Sequence, residues 1–375
     1  MMSMHIRCLR FVALAAPAVV LGLTGVAADA DTIYVCWDGS GDCLTIQEGI
    51  DAAQDGDEVI VCDGTYTGPG NRDLDFGGKA ITVRSENGPE TCIIDCQGSG
   101  RGFYFHYDES ATSVVDGLTI RNGYTTYGAG VYCYESNPTI ADCIISENTA
   151  TMRGGGIYCY RNSSPTISGC VVRANTAESG GGVSCYSNSS PTISNCTIAG
   201  NAAVGPGPSN GGGGIMSFDY SDPQITGSAI TGNVAAAGGG LVLLRSDATI
   251  ANCTIAGNVA DYSGGGGIDC TISYPTITNC SIIGNAASSG PYPSGGGIVM
   301  WGGPTIADCT IAGNTAAAEG GALYCGDDST PTLTNSTIAA NWASDGRALA
   351  CDSSYQGPST VQITNCILWN GGDEI

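Results

Sequence analysis

From about residue 112 to its end the chain repeats one frame, Pro-Thr-Ile-x-x-Cys-x-Ile, at spacings of 25 to 32 residues. Copies begin at Pro138, Pro165, Pro191, Pro223, Ala248, Pro275, Pro304, Pro331 and Val361, and a degenerate first copy runs Thr112 to Gly117. Five residues after the Cys position stands an asparagine: Asn122, Asn148, Asn175, Asn201, Asn233, Asn258, Asn285, Asn314 and Asn341. A glycine cluster and an apolar residue follow, as in Gly154-Gly-Gly-Ile157 and Gly180-Gly-Gly-Val183. A fixed period of this size means units that bury their apolar face only by stacking, hence a solenoid.

Within each repeat the apolar period is 2, as in Ile157-Tyr-Cys-Tyr160 and Cys196-Thr-Ile198. Three short strands per repeat follow: Ile-x-Cys, Thr-Ile and Cys-x-Ile. The residue before the Cys position is Asp116, Asp142, Gly169, Asn195, Gly227, Asn252, Asn279, Asp308, Asn335 or Asn365. All are types that accept a left-handed backbone, so this column predicts a sharp corner between two strands. The asparagine and glycine columns mark a second bend. Three strands and three turns in about 27 residues make one coil of a parallel β-helix. About twelve coils stacked ~4.8 Å apart give an all-β rod of ~55–60 Å. Glycine, 58 of 375 residues, belongs mainly to the repeating bends.

The N-terminal third differs. His5, Arg7 and Arg10 precede an apolar stretch from Phe11 to Val26, and Ala28-Asp-Ala30 is a small-x-small cleavage site. Residues 1–30 therefore read as a signal peptide, and the protein as secreted or held at the cell surface. No later segment is apolar and long enough to span a bilayer as a helix. Residues 31–111 read as an N-terminal cap with the first coils, continuous with the repeats of 112–375 in one domain. Thr45-Ile-Gln-Glu48 is a capping box, and Ile46, Ile50 and Ala53 share one helical face, which predicts a short helix plugging the rod. Val59-Ile-Val61, Ile81-Thr-Val83 and Gly102-Phe-Tyr-Phe105 read as early strands.

That helix, with Gly56-Asp-Glu-Val59 and Asp63-Gly-Thr-Tyr66, resembles the opening of pectin-lyase-like β-helix proteins. The Gly-Gly-Gly-Ile and Ile-x-x-Asn pair is similar to the repeats of chlamydial polymorphic membrane proteins, which pair Gly-Gly-Ala-Ile with Phe-x-x-Asn. The resemblance covers nearly all of the chain after the leader, and it implies a right-handed coil. It implies no single activity, because this fold carries lyases, hydrolases, esterases and adhesins. The polymorphic proteins usually end in a membrane barrel, for which this sequence has no segment.

Acidic residues number 35 and basic ones 12, a net charge of −23, and Lys79 is the one lysine. Nucleic acid is excluded as a general ligand, since phosphate neutralisation needs clustered cations. Pectate lyases of this fold hold Ca²⁺ on acidic residues and use Arg or Lys as base; galacturonan hydrolases use clustered Asp with a nearby His. Here His106 is the one histidine after the leader, and no strand reads as Asp-x-Asp or Gly-His-Gly. A non-catalytic role is the leading expectation, with a pectate-lyase-like polysaccharide-degrading enzyme as the alternative. Asp55, Asp57, Glu58 and Asp63 are dense enough to consider Ca²⁺, although Asp-Gly turns account for the same pattern.

The outward positions are aromatic. The register predicts one sheet face carrying Tyr104 and His106, Tyr132 and Tyr134, Tyr158 and Tyr160, then Tyr186 and Phe218, with Trp301 further along. Stacked rings suit the faces of sugars, and Arg153 and Arg161 lie beside them; aromatic rings also stack on one another for stability alone. The expected ligand is a polysaccharide or a surface protein. Two long bends, Asn201 to Gly212 and Asn285 to Gly295, project from one corner; they are either one lip of a groove or tolerated insertions. Cysteines pair within coils by position: Cys133 with Cys143, Cys159 with Cys170, Cys185 with Cys196, Cys270 with Cys280, and Cys351 with Cys366. The cysteines thus form two inward columns, and their co-occurrence hints at bridges within a coil, which Cys253, Cys309 and Cys325 do not obey; bridges between neighbouring coils and buried free thiols remain open. Cys366-Ile-Leu-Trp369 reads as a strand of one more coil, which implies end-to-end association with a partner or second copy, or a chain that is a fragment.

Overall fold

The computed structural model describes residues 30–207, 210–290, 293–352 and 357–372. All but the last residue of the expected leader lies outside these, as do Pro208 and Ser209 of the first long bend and Pro291 and Tyr292 of the second.

The chain winds into a parallel β-solenoid with sheets of 13, 10, 12 and 8 strands. Strands of one sheet pair in register from coil to coil, for example Ile140 with Ile167 and then Ile193. The inward columns follow from the frame. Ile140, Ile167, Ile193, Ile225 and Ile250 are buried in one sheet, and Ile145, Val172, Ile198, Ile230 and Ile255 in the next. The corner between them is left-handed at Asp142, Asn195, Asn252, Asn279, Asp308, Asn335 and Asn365, and at Gly169 and Gly227.

The first copy is out by one residue. Val114 pairs with Thr139 and Val115 with Ile140, so its frame starts at Ser113 and its corner residue is Gly117, φ +64°, rather than Asp116. Leu118 takes the Cys position, and Gly123 takes the asparagine position, where its N–H donates to Asn148 Oδ1. Asn122 therefore stands outside the column; its side chain donates to Asp95. Adjacent residues that both tolerate positive φ leave this register ambiguous in sequence.

A second correction is the fourth sheet. Its strands run Tyr124–Tyr127 and Thr149–Arg153, then shrink to two residues each, such as Thr176–Ala177 and Ala202–Ala203. Two residues show no period, so three strands per coil is all the pattern reveals. The asparagines lie at the bend before this sheet and form a buried ladder. Asn175 Oδ1 accepts from both the backbone N–H and the Nδ2 of Asn148 at 3.0 Å, and Asn175 Nδ2 donates to Ile145 O and Asn201 Oδ1. The same set recurs through Asn201, Asn233, Asn258, Asn285, Asn314 and Asn341, and Asn370 closes it. Each side chain satisfies backbone groups that the bend strips from the strand ladder. The glycine cluster turns the chain back close to the next coil: a Cβ at Gly182 would lie 2.5 Å from Gly214 O.

The expected helix is Ile46–Ala52, with Thr45 and Glu48 closing the capping box. Ile46, Ile50 and Ala53 are buried in the core of the first coil. Lys79 Nζ donates to Ile50 O and Asp51 O at 2.7 and 2.9 Å, placing the one lysine charge on the helix's free carbonyls. An additional strand, Thr32–Val35, precedes the helix and pairs with Glu58–Val61.

The cysteines correct the expectation of bridges within coils. Among the described residues one disulfide joins Cys36 to Cys62, and the ten cysteines of the five expected pairs are free thiols. They stack along the rod instead. Cys133, Cys159 and Cys185 are in register in the 10-stranded sheet. Cys253, Cys280 and Cys309 follow one another at the corner; Cys280 Sγ accepts from the Cys253 N–H and Cys309 Sγ from the Cys280 N–H, both at 3.5 Å. The three apparent exceptions thus belong to columns: two to this corner set, and Cys325 beside Cys351.

Candidate functional site

The outer face of the 10-stranded sheet carries the aromatic residues in the expected register. One column runs Tyr104, Tyr132, Tyr158, Ser184, Met216, Val242, Asp269, Val299, Tyr324. The other runs Tyr134, Tyr160, Tyr186, Phe218, Leu244, Thr271, Trp301. Parallel in-register pairing repeats the outward position at every coil, so like residues meet ring to ring.

In the N-terminal half the rings fill the face. Tyr104, Tyr132 and Tyr158 stack at centroid distances of 5.1 and 5.2 Å, and Tyr160, Tyr186 and Phe218 at 5.6 and 5.1 Å. Tyr134 meets Tyr160 tilted, at 5.8 Å. The long strands of the fourth sheet form a wall beside them: Tyr127 stacks on Tyr158, and the guanidinium of Arg153 sits 4.4 Å above the Tyr186 ring. Tyr158 is consequently 3% exposed, although its position points outward. Burial pushes the phenols of Tyr132 and Tyr158 well above their ordinary range. A narrow cleft of about 250 Å³ remains, lined by Tyr127, Tyr132, Met152, Arg153, Tyr158, Tyr160 and Tyr186. Arg161 lies 5.6 and 5.5 Å from the Tyr134 and Tyr160 rings, donates to Tyr134 Oη, and faces Glu135 at 3.9 Å.

The N-terminal end of this ladder holds residues that the sequence reading missed. Asp73-Leu-Asp75 is an Asp-x-Asp on a strand position after all, since Leu74 bridges to Phe103 of the same sheet. Asp75 lies 3.8 Å from His106 Nε2, and Asp73 lies 3.6 Å from Arg101 Nε. The Arg101 guanidinium packs 4.7 and 5.1 Å from the Tyr104 and Tyr132 rings, and its Nε and Nη1 lack hydrogen-bond partners. Burial holds its pKa below the usual arginine value. His106 stacks on Tyr104 at 4.0 Å. His106 and Tyr104 were expected on this face, but Asp73, Asp75 and Arg101 precede the regular repeats, so no column pointed to them.

In the C-terminal half the rings give way. Leu244 and Thr271 interrupt the column, so Trp301 shares its register with Phe218 but is three coils removed from it. The gap opens into a cavity of about 780 Å³. Met216, Val242, Leu244 and Val299 make its floor, Tyr262, Trp301 and Tyr324 its aromatic walls, and Asp269, Glu319 and Asp352 its charged groups. Burial pushes the Asp269 carboxyl up to about 6, and burial followed by the charges of Asp352 and Asp345 raises Glu319. Ser294 of the second long bend lines the cavity, whereas the first bend contributes no lining residue among those described.

The four carboxylates considered for Ca²⁺ do not converge. Asp55 accepts from the N–H of Ala80, Asp57 from those of Asp31 and Gln54, and Asp63 from Thr91 and Asn87, while Glu58 pairs with Arg84. Among the described residues no group of three or more His, Cys, Asp or Glu is arranged to hold a metal.

The family model of the right-handed β-helix region matches residues 60–217, 156–261 and 213–374, and the chain belongs to that family. No curated protein matches the chain. Among solved structures, a mannuronic-acid-specific family 6 polysaccharide lyase from human gut microbiota is 14% identical, covering 89% of this chain and 82% of its own, with a TM-score of 0.49. The pectate lyase Pel9A is 13% identical, covering 90% and 78%, with a TM-score of 0.37. The A-module of the Azotobacter vinelandii mannuronan C-5 epimerase AlgE6 is 13% identical, covering 86% and 93%, with a TM-score of 0.40. None of these likenesses assigns an activity to this chain.

Proposed function

We propose that this right-handed β-helix protein is an exported, non-catalytic binder that holds a polysaccharide along the N-terminal half of its 10-stranded sheet. One observation supports the reading: the unbroken ring column Tyr134, Tyr160, Tyr186, Phe218, flanked by the guanidinium groups of Arg153 and Arg161. Flat rings offer apolar faces to sugar C–H groups, and the guanidinium donors suit hydroxyls or uronate carboxylates. Tyr158 is too enclosed to touch a sugar; it braces the column that does. Replacing Tyr134, Tyr160 and Tyr186 together with Ala should weaken polysaccharide binding by about ten-fold or more without unfolding the rod. Unchanged affinity across a panel of plant and algal polysaccharides would sink the assignment, and would turn attention to a surface protein as the occupant.

A second reading, a polysaccharide-degrading enzyme, is favoured by the placement of Asp73, Asp75, Arg101 and His106 at the end of the same ladder. A carboxylate beside an imidazole is an acid–base pair in waiting. Release of unsaturated uronides or new reducing ends, abolished by Asp75→Asn and by His106→Gln, is the outcome it requires; binding without release leaves the first reading standing.

A further inference from the structure

The cavity in the C-terminal half differs chemically from the ring ladder and has no part in the proposed polysaccharide site. Its floor is apolar, three of its walls are aromatic, and its ionisable lining is acidic: Asp269, Glu319 and Asp352, with Tyr262 and Tyr324 but no Lys, Arg or His among the described residues. Asp269 is the telling residue. It occupies an outward position that is Val242 one coil before and Val299 one coil after, yet it is 9% exposed. Its Oδ1 accepts from Thr271 Oγ1 at 2.8 Å, and its Oδ2 has no hydrogen-bond donor among the described residues. Gly264 stands where a Cβ would come within 2.2 Å of that Oδ2, so the turn leaves room for the carboxylate. A buried carboxylate without a cation is costly, and none of the described residues lining the cavity supplies one.

From this arrangement we infer that the cavity binds an organic ammonium ligand with an apolar body. The body lies on Met216, Val242, Leu244 and Val299, and the charged head sits against Asp269 and Glu319 with the faces of Trp301 and Tyr324 beside it. Carboxylates compensate the charge, and aromatic quadrupoles add a cation–π contribution. A volume of about 780 Å³ takes a compound of drug size, rather than a single inorganic ion. An anion is repelled, and a neutral sugar leaves Asp269 uncompensated. The titratable groups facing Asp269 across the cavity are Tyr262, Glu319, Tyr324 and Asp352, all acidic, so an entering cation favours ionisation of Asp269 and binding should release a proton.

Three probes with one ring separate the possibilities: benzyltrimethylammonium, benzyl alcohol and benzoate, titrated calorimetrically into the full chain. The expected result is binding of the ammonium at least about ten-fold tighter than the alcohol, and no binding of benzoate. Repeating the titration at pH 6 in buffers of different ionisation enthalpy should reveal proton release. Asp269→Asn with Glu319→Gln should remove the preference for the cation while thermal melting shows the rod intact. Asp352→Asn is a second, more exposed variant that should weaken it in the same direction. Equal affinity for the alcohol and the ammonium, indifference of cation binding to the carboxamide variants, or no ammonium binding at all would each overturn the inference. Polysaccharide binding by the Tyr134 column is read separately, so either proposal can fail without the other.

Discussion

The two halves of one sheet face share a backbone and differ in what stands on it. Tyr132 and Val242 occupy the same outward column in register, as do Tyr160 and Thr271. In the first half identical neighbours stack until the face is nearly closed, leaving about 250 Å³. In the second the column loses its rings at Leu244 and Thr271, and about 780 Å³ opens. A solenoid makes its surface by repetition; a pocket arises where repetition is broken. The charges divide in the same way, with Arg101, Arg153 and Arg161 among the tyrosines and Asp269, Glu319 and Asp352 in the gap.

If the ladder is a packed structure and the gap is not, substitutions should act unequally. The largest effect is expected for Tyr158→Ala, which removes a buried ring held by neighbours on three sides. It should cost about 3–5 kcal/mol in chemical denaturation. A loss below about 1 kcal/mol would mean that the ladder is a surface ornament, and the contrast between halves would collapse.

Asp269→Asn should act in the opposite direction. The folded-state pKa of about 6 lies above the ordinary 3.8, so the native state holds this proton more tightly than the unfolded chain. The penalty for ionising Asp269 is absent below about pH 4, builds between pH 4 and 6, and is complete above pH 6. The amide should therefore stabilise the protein by roughly 2–3 kcal/mol at pH 7 and leave it unchanged at pH 3.5. Melting curves at the two pH values check the sign; a gain of equal size at both would mean that packing, not charge, is responsible.

Leu244→Tyr combined with Thr271→Tyr would carry the ring column from Phe218 to Trp301. The expected change in stability is within about 1 kcal/mol, since the new rings stack on existing ones while filling open space. Ammonium binding should disappear. Trp301→Ala is expected to be the mildest, below about 1 kcal/mol, because that ring is 41% exposed and among the described residues has one tilted aromatic neighbour, Tyr324. Its effect should appear in ligand affinity instead.

Much of this architecture is visible in the sequence because a solenoid writes each structural position many times. Ile140 and its column-mates, the left-handed corner at Asn195 and Asn252, and the register of Tyr134, Tyr160 and Tyr186 all follow from offsets within one frame. The helix at Ile46–Ala52 is legible for a different reason, since its capping box is local. Features written once or too briefly escape. The fourth sheet is hidden in pairs such as Ala202–Ala203. The first copy slips by one because Asp116 and Gly117 both suit a left-handed corner. Asp73, Asp75 and Arg101 lie before the frame becomes regular, and Asp269 gains its meaning from walls contributed by several coils. For the cysteines the columns are legible but the bonding is not: co-occurrence within a coil hints at a bridge, whereas the thiols are free and stack along the rod.

The corner after the short fourth strand has a consequence for engineering. Coil lengths vary, and the surplus residues of the two longest bends fall between Ala203 and Gly212 and between Ala287 and Gly295. On either side of them the asparagine ladder passes from Asn201 to Asn233 and from Asn285 to Asn314 with the same donor and acceptor set as anywhere else. This corner therefore works as an insertion port. A foreign epitope or enzyme spliced there on one coil after another would be displayed in a row at a pitch of ~4.8 Å per coil, set by the hydrogen bonds of the strands rather than by any linker.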